Sequence, residues 1–298
     1  MSDNRRITRR ELLGVGAATA IGNSLRAFGG AAQTSPTLPV KVEKDVVVGK
    51  DGGVELRCDV YRPPAGTEKH MALLHLHGGG WARGSKDTLG PKLAPITARG
   101  YLSVALEYRL SGMAKWPAQL DDIKTAIRWV RANAGSLGID AKRIATVGYS
   151  AGGHLALCAA GDADTQVAAC VAFYPVVELS KENVLALLPP GSSDAAVRAA
   201  SPMTYLKAGF PPTIIFHGLA DVTVPPESSE RLLQELRRAG IPSELHTFAG
   251  VPHEFDAHPE FAEACAPLTD FFLERYILHP RTYPPFTPGG AGGRGTGQ

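Results

Sequence analysis

The chain has little of what marks several common functional classes. It carries four cysteines in 298 residues, Cys58, Cys158, Cys170 and Cys265, with no C-x-x-C pair and no zinc-like spacing. Neither a cysteine-held metal nor a dense disulfide framework is expected. Cys158 and Cys170 sit in apolar stretches and read as small core residues rather than as a disulfide. Charge of one sign is lacking too: 31 Lys and Arg against 29 Asp and Glu leave a formal net charge of +2. That balance gives no field to gather nucleic acid or an anionic membrane surface, so neither is expected as a partner. No internal repeat is present, and no apolar run reaches the roughly 20 residues that a helical membrane span needs.

What is present begins with an unusual start. Arg9 and Arg10, followed by Glu11, stand just ahead of an uncharged stretch, Leu12 to Leu25, rich in Ala, Gly, Leu, Val and Ile. Small residues follow at Gly30, Ala31 and Ala32, suiting a signal-peptidase site. Residues 1–32 therefore read as an export signal of the twin-arginine type, addressed to the twin-arginine export machinery. The mature protein is then expected to be exported, periplasmic or secreted, without a stable membrane span. A basic amphipathic start that stays on the protein, or a retained anchor, is the alternative. Residues 33–39 form a Pro-containing linker, 40–279 one large domain, and 280–298 a Pro- then Gly-rich tail expected to be disordered.

Within the domain, short β-type runs alternate with helical patterns. Val40 to Val48 and Val54 to Tyr61 flank Asp51-Gly52-Gly53 as a hairpin. Further strand-like runs lie at Met71 to Leu76, Leu102 to Tyr108, Ile144 to Gly148, Val167 to Tyr174, Thr213 to His217 and Glu244 to Phe248. Helical patterns fall at Leu89 to Arg99, Leu120 to Ala134, Ala151 to Ala160, Ser228 to Ala239 and Glu260 to Tyr276. This alternation predicts an α/β fold with a mainly parallel central sheet of about eight strands, helices on both faces. Glu178 to Pro202 interrupts it as a small lid insertion, where Leu185, Leu187 and Leu188 either line an acyl pocket or pack the insertion.

Chemistry enters at Gly148-Tyr149-Ser150-Ala151-Gly152, a G-x-S-x-G between a strand and a helix. That turn holds a serine in a strained, exposed conformation, and side chains at Gly148 or Gly152 would collide where strand and helix nearly touch. His77-Gly78-Gly79-Gly80-Trp81 follows an earlier strand. Consecutive glycines let backbone amides point at a developing oxyanion, so Gly79, Gly80 and the amide of Ala151 are the candidate donors. A serine needs a base and the base an orienting acid, in the chain order Ser, acid, His. Downstream lie His154, His217, His246, His253, His258 and His279. His253, in a loop directly after the last strand, is the candidate base, with His258 as runner-up. Asp221, just beyond the strand Thr213 to His217, is the candidate acid; Glu254 and Asp256 follow His253 too closely to reach its ring. Trp81, Trp116 and Tyr149 are candidates for substrate contact, against an ordinary place in the core.

Taken together, H-G-G-G-W, E-Y-R-L at Glu107 to Leu110, W-P-A-Q at Trp116 to Gln119, G-Y-S-A-G-G-H-L-A and H-G-L-A-D-V-T-V-P resemble the BD-FAE-type α/β hydrolases. These stand near the hormone-sensitive-lipase-like esterases and include acetyl, feruloyl and acetylxylan esterases. The resemblance runs from about Val42 to Tyr276. It implies a triad at Ser150, Asp221 and His253, an oxyanion loop at Gly78 to Gly80, and hydrolysis of short-chain esters without a cofactor; metal dependence is not expected either, since the sequence holds no ligand cluster. Deacetylation of a polysaccharide such as xylan rests on that analogy. An amidase or peptidase of the same fold, and a non-catalytic polysaccharide-binding relative, are the competing readings.

Overall fold

The computed structural model describes residues 40–180 and 187–284. The segments expected to be an export signal (1–32) and linker (33–39), most of the Gly-rich tail, and Leu185 lie outside the described residues. Eight strands form one sheet in the order β1-β2-β4-β3-β5-β6-β7-β8: β1 (Lys41–Asp51), β2 (Val54–Arg62), β3 (Ala72–Leu76), β4 (Leu102–Leu106), β5 (Ile144–Tyr149), β6 (Ala169–Phe173), β7 (Thr213–Gly218) and β8 (Ser243–Phe248). β1 pairs with β2 and β2 with β4 antiparallel; every pairing from β4 through β8 is parallel.

Seven α-helices accompany the strands among the described residues, besides a few short 3-10 and π turns: α1 (Gly90–Thr97), α2 (Ala118–Ala132), α3 (Ala134–Leu137), α4 (Ala151–Gly161), α5 (Asp194–Ala200), α6 (Glu227–Arg238) and α7 (Pro259–Leu273). None is long and apolar enough to cross a membrane.

The central strands are short, largely apolar and sealed on both faces. In β3, Ala72, Leu74 and Leu76 enter one core with Ile127 of α2 and Leu155 of α4, while Leu73 enters the other with Leu93 of α1 and Phe272 of α7. A period-two side-chain pattern thus feeds two separate cores. Each fully buried Leu or Phe contributes about 1.5–3 kcal/mol, and the sheet's middle is assembled from such residues. All four cysteines are free and buried in these cores. Burial pushes the thiols of Cys58, Cys170 and Cys265 up to about 12, so they behave as apolar side chains.

Two strands stop earlier than their hydrophobic runs suggest. β4 ends at Leu106, after which Glu107 to Leu110 serve as ties. Glu107 Oε2 accepts from Lys86 N at 3.0 Å. Arg109 grips the buried Asp122 of α2 at 2.7–3.0 Å and also lies 3.1 Å from Asp51. Gln119 Nε2 donates to the carbonyls of Arg109 and Ala114. The E-Y-R-L and W-P-A-Q motifs are therefore a structural latch. β6 ends at Phe173 because Tyr174 turns to a positive φ of 37°.

The insertion after β6 is partly core. Leu187 and Leu188 are buried at 0% and 3% exposure and join the α2/α4 core, and Leu187 O accepts from Trp116 N at 3.1 Å. Of the two readings for these leucines, packing is the one observed.

Candidate active site

The parallel strands end at one edge of the sheet, and the loops leaving them converge there. β5 runs into α4 through Ser150, which stands at φ 55°, ψ −116°. Gly148 and Gly152 make that turn possible. A Cβ on Gly148 would lie 2.0 Å from Gly152 O, and one on Gly152 would lie 2.1 Å from Leu76 O. Ser150 N–H donates to Phe173 O at 3.0 Å, which pins the strained residue to β6.

Ser150 Oγ lies 2.9 Å from His253 Nε2, and His253 Nδ1 lies 2.6 Å from Asp221 Oδ2. Asp221 is held from its other oxygen: Oδ1 accepts from the amides of Thr223 and Val224, both at 2.8 Å. His217, fully buried, buttresses the acid loop. Its Nε2–H donates to Val224 O at 2.9 Å and lies 3.2 Å from Asp221 Oδ2, while Nδ1 accepts from Ser229 Oγ at 2.6 Å. Burial, the largest influence, lowers the His217 pKa, and a neutral ring suits this one-donor, one-acceptor setting. His258, the runner-up base, is an exposed residue ahead of α7.

The glycine loop is positioned as tightly as the serine. Gly79 and Gly80 take positive φ values of 115° and 59°, and a Cβ on Gly79 would meet Arg83 O at 2.1 Å. Gly78 packs on the nucleophile turn, its would-be Cβ 3.4 Å from Ser150 Cβ. His77 Nδ1–H donates to Gly78 O at 2.8 Å, and the ring stacks on Tyr108, 4.2 Å between centroids. Ala151 opens α4, where its N–H has no helical acceptor and the helix dipole is positive. Gly79, Gly80 and Ala151 all border the same cleft as Ser150 and His253.

That cleft has two lobes meeting at Ser150, Gly79, Arg83 and Glu254. The larger, about 720 Å³, is walled by Trp81, Val176, Val177, Leu179, Val224 and Pro225. The smaller, about 340 Å³, is bordered by Thr88, Lys92, Tyr149 and Tyr174. The three candidate substrate residues thus separate. Trp81 forms a wall, 4% exposed, with Nε1–H donating to His154 Nδ1 at 3.2 Å. Tyr149 borders only the small lobe and is otherwise stacked on Phe173 in the α1/α7 core. Trp116 lines neither lobe: it is half-buried and packs edge-on against His154 and the α2/α4 core, in the segment tied by the W-P-A-Q latch.

His154 is more than a packed ring. Its Nε2–H donates to Ala200 O of α5 at 2.7 Å, joining the glycine loop, α4 and the insertion in one line from Trp81. Burial, partly opposed by the Ala200 bond, lowers its pKa to about 4 and keeps it neutral. Tyr174 and Lys92 were not legible as neighbours of this site, since their partners lie 82 and 164 positions away in sequence.

With this geometry in view, comparison with known proteins is decisive for the family. The BD-FAE family model matches residues 58–236. The chain belongs to the BD-FAE family. Among curated relatives, the esterase LipQ of Mycobacterium tuberculosis is 32% identical over 69% of this chain and 55% of its own length. The probable carboxylic ester hydrolase LipM of the same organism is 28% identical over 78% of this chain and 60% of its own. The chain thus spans little more than half the length of these relatives. Among solved structures, a propionate-bound thermophilic esterase, Est2 of Thermogutta terrifontis, matches with a TM-score of 0.68 and 31% identity, over 83% of this chain and 97% of that one. The same esterase phosphorylated by paraoxon matches at 32% identity and a TM-score of 0.68. These matches establish this BD-FAE member as an α/β hydrolase of the hormone-sensitive-lipase-like type.

Proposed function

We propose that this BD-FAE member is a serine hydrolase that cleaves short-chain carboxylic esters through an acyl-enzyme. The observation that carries the reading is the line Ser150 Oγ, His253 Nε2 and Nδ1, Asp221 Oδ2, with spacings of 2.9 and 2.6 Å, opening on a cleft beside Gly79 and Gly80. Ser150 attacks the ester carbonyl as its proton passes to His253 Nε2. Asp221, acceptor-only, stabilises the imidazolium through Nδ1–H. The negative carbonyl oxygen takes hydrogen bonds from the amides of Gly79, Gly80 and Ala151, each such donor typically worth about 10²–10³-fold in rate. His253 returns the proton to the leaving alcohol. A water, deprotonated by the same ring, then releases the acid and restores Ser150. Propionate bound to the Thermogutta esterase supports a small acyl group.

The finer reading is an exported enzyme that removes acetyl groups from polysaccharide. The open, larger lobe supports a bulky alcohol side, and Trp81 serves as its wall rather than as a free stacking platform. Export rests on Arg9, Arg10 and the apolar run behind them.

The test compares the wild type with Ser150→Ala on aryl acetate, aryl butyrate, acetylated xylan and a peptide anilide. Acetate release lost in the variant supports the mechanism, and turnover surviving in it overturns Ser150 as nucleophile. Aryl acetate turnover without xylan deacetylation confines the enzyme to small esters, and anilide cleavage favours the amidase reading. Paraoxon treatment followed by peptide mass spectrometry is expected to place a diethyl phosphoryl group on Ser150. Amino-terminal sequencing of the exported protein checks cleavage near Ala32.

A further inference from the structure

Behind the His253 imidazole stands a second polar line that proton transfer does not use. The Tyr174 ring faces that imidazole with centroids 4.5 Å apart. Its backbone, just past β6, sits at φ 37°, costly for a bulky residue and sustained only where the surroundings impose it. The amide is fixed by Phe216 O at 2.7 Å. Its hydroxyl donates to Asp256 Oδ1, and Asp256 Oδ2 lies 2.7 Å from Lys92 Nζ of α1, an ion pair. Tyr174 and Asp256 are 0% and 3% exposed. A carboxylate so buried persists because it is paired. Burial first, and the Asp256 charge second, push the Tyr174 hydroxyl well above its ordinary range, so it remains a donor.

We infer that Asp256 is a positioning residue: through the Tyr174 hydroxyl it holds the phenol ring against His253, keeps the imidazole aimed at Ser150, and gives the imidazolium an electron-rich face. The inference rests on the Ser150–His253 mechanism above. A phenol bonded to a carboxylate carries more electron density in its ring, and a cation near an aromatic face is attracted to it. Lys92 fixes the carboxylate, its Nζ also lying 5.0 Å from the Tyr149 ring centre. The sequence hid this, because Asp256 as the acid of the relay was ruled out only for direct contact with His253.

The experiment is a double-mutant cycle of Tyr174→Phe and Asp256→Asn, read as kcat and KM on aryl acetate together with the melting temperature. Each single variant is expected to lower kcat by about tenfold while KM stays within about twofold. If Asp256 acts through the hydroxyl, the double variant is no slower than the slower single variant. Tyr174→Leu, which also removes the ring, is expected to be slower than Tyr174→Phe. Losses that multiply, a kcat that stays at the wild-type value in Tyr174→Phe, or an effect confined to KM would overturn the inference. Should Asp256→Asn fail to fold, Tyr174→Phe against Tyr174→Leu still decides it, since both leave the Lys92 pair intact. Ser150→Ala run alongside separates the outcomes: turnover there sinks the mechanism, whereas an inert Ser150→Ala with unaffected Tyr174→Phe sinks only the role of Asp256.

Discussion

Adding one methyl group at Gly148 tests the nucleophile turn directly. Its Cβ would stand 2.0 Å from Gly152 O, and real side-chain carbons stay beyond 3.0 Å, so about 1 Å must be opened between backbone and backbone. No flexible side chain can yield there; β5 and α4 have to part. Overpacking of a well-filled site costs about 1–3 kcal/mol, and a backbone obstacle belongs at the upper end. For a domain of this size that lowers the melting temperature by about 4–12 °C. The catalytic loss is expected to be larger than the stability loss suggests, since moving a reacting group by about 1 Å costs about 10²-fold in rate. Gly135→Ala is the matched control, because nothing lies within 4 Å of its Cβ and it sits in α3. There the lost freedom of the unfolded chain gives about 0.4–1 kcal/mol of added stability. Thermal unfolding and aryl acetate turnover on both variants suffice. If Gly148→Ala melts and turns over like the wild type, the close approach of strand and helix is not what selects glycine.

Other outcomes follow from the same contacts. Asp221→Asn keeps the shape of the acid but loses the charge facing His253 Nδ1, and kcat is expected to fall by about 10³–10⁴-fold with little change in melting temperature. Asp122→Ala removes the buried carboxylate that Arg109 grips and leaves the guanidinium only the half-exposed Asp51 as an ion-pair partner, and urea unfolding should register a loss of about 1.5–3 kcal/mol. Burial lowers the pKa of His154 to about 4 and of His75 to about 3, against 6.5 for a free imidazole. Above pH 6.5 each is neutral in both states and contributes no pH dependence. Below it the unfolded chain takes up protons that the buried rings refuse, so stability falls as pH drops towards the folded values. Between pH 6.5 and 5 this amounts to about 2 kcal/mol per histidine, measurable as denaturant midpoints at the two pH values, and a flat profile would contradict it. Trp81→Phe leaves His154 Nδ1 without its donor in a buried site and should cost about 1–3 kcal/mol, read from thermal unfolding.

The parts legible in the sequence were those encoded locally. Gly148 and Gly152 announce a tight strand-to-helix passage because only glycine survives the approach, and the strand runs announce a sheet sealed on both faces. Chain order pointed to Ser150, Asp221 and His253, and the fold brings those three side chains within hydrogen-bonding distance. What escaped was everything decided by which surface a residue meets. Leu187 and Leu188 are as apolar as an acyl pocket would need, but apolarity does not say whether the surface they cover belongs to a ligand or to α2 and α4. Trp116 is an aromatic that the sequence offered for substrate contact, yet in space it is half-buried and packs against the α2/α4 core and His154, in a segment tied by the bonds of Gln119 to Arg109 O and Ala114 O. The Tyr174–Asp256–Lys92 line joins three elements that no short spacing relates.

Among the described residues, seven other than glycine hold a positive φ, and four of them, Trp81, Ser150, Tyr174 and Glu254, frame the cleft. Each such conformation costs on the order of 1–3 kcal/mol, so the chain gives up part of its thermal margin where it would do chemistry. A search for hardier versions of this protein that selects on melting temperature alone will be drawn to relax those four, and will trade turnover for robustness. Gln166, at φ 46° in the turn before β6, bears the same kind of strain away from both lobes of the cleft. Asparagine or glycine there relieves the backbone at no expense to the cleft, which makes that turn the sensible first place to harden the fold.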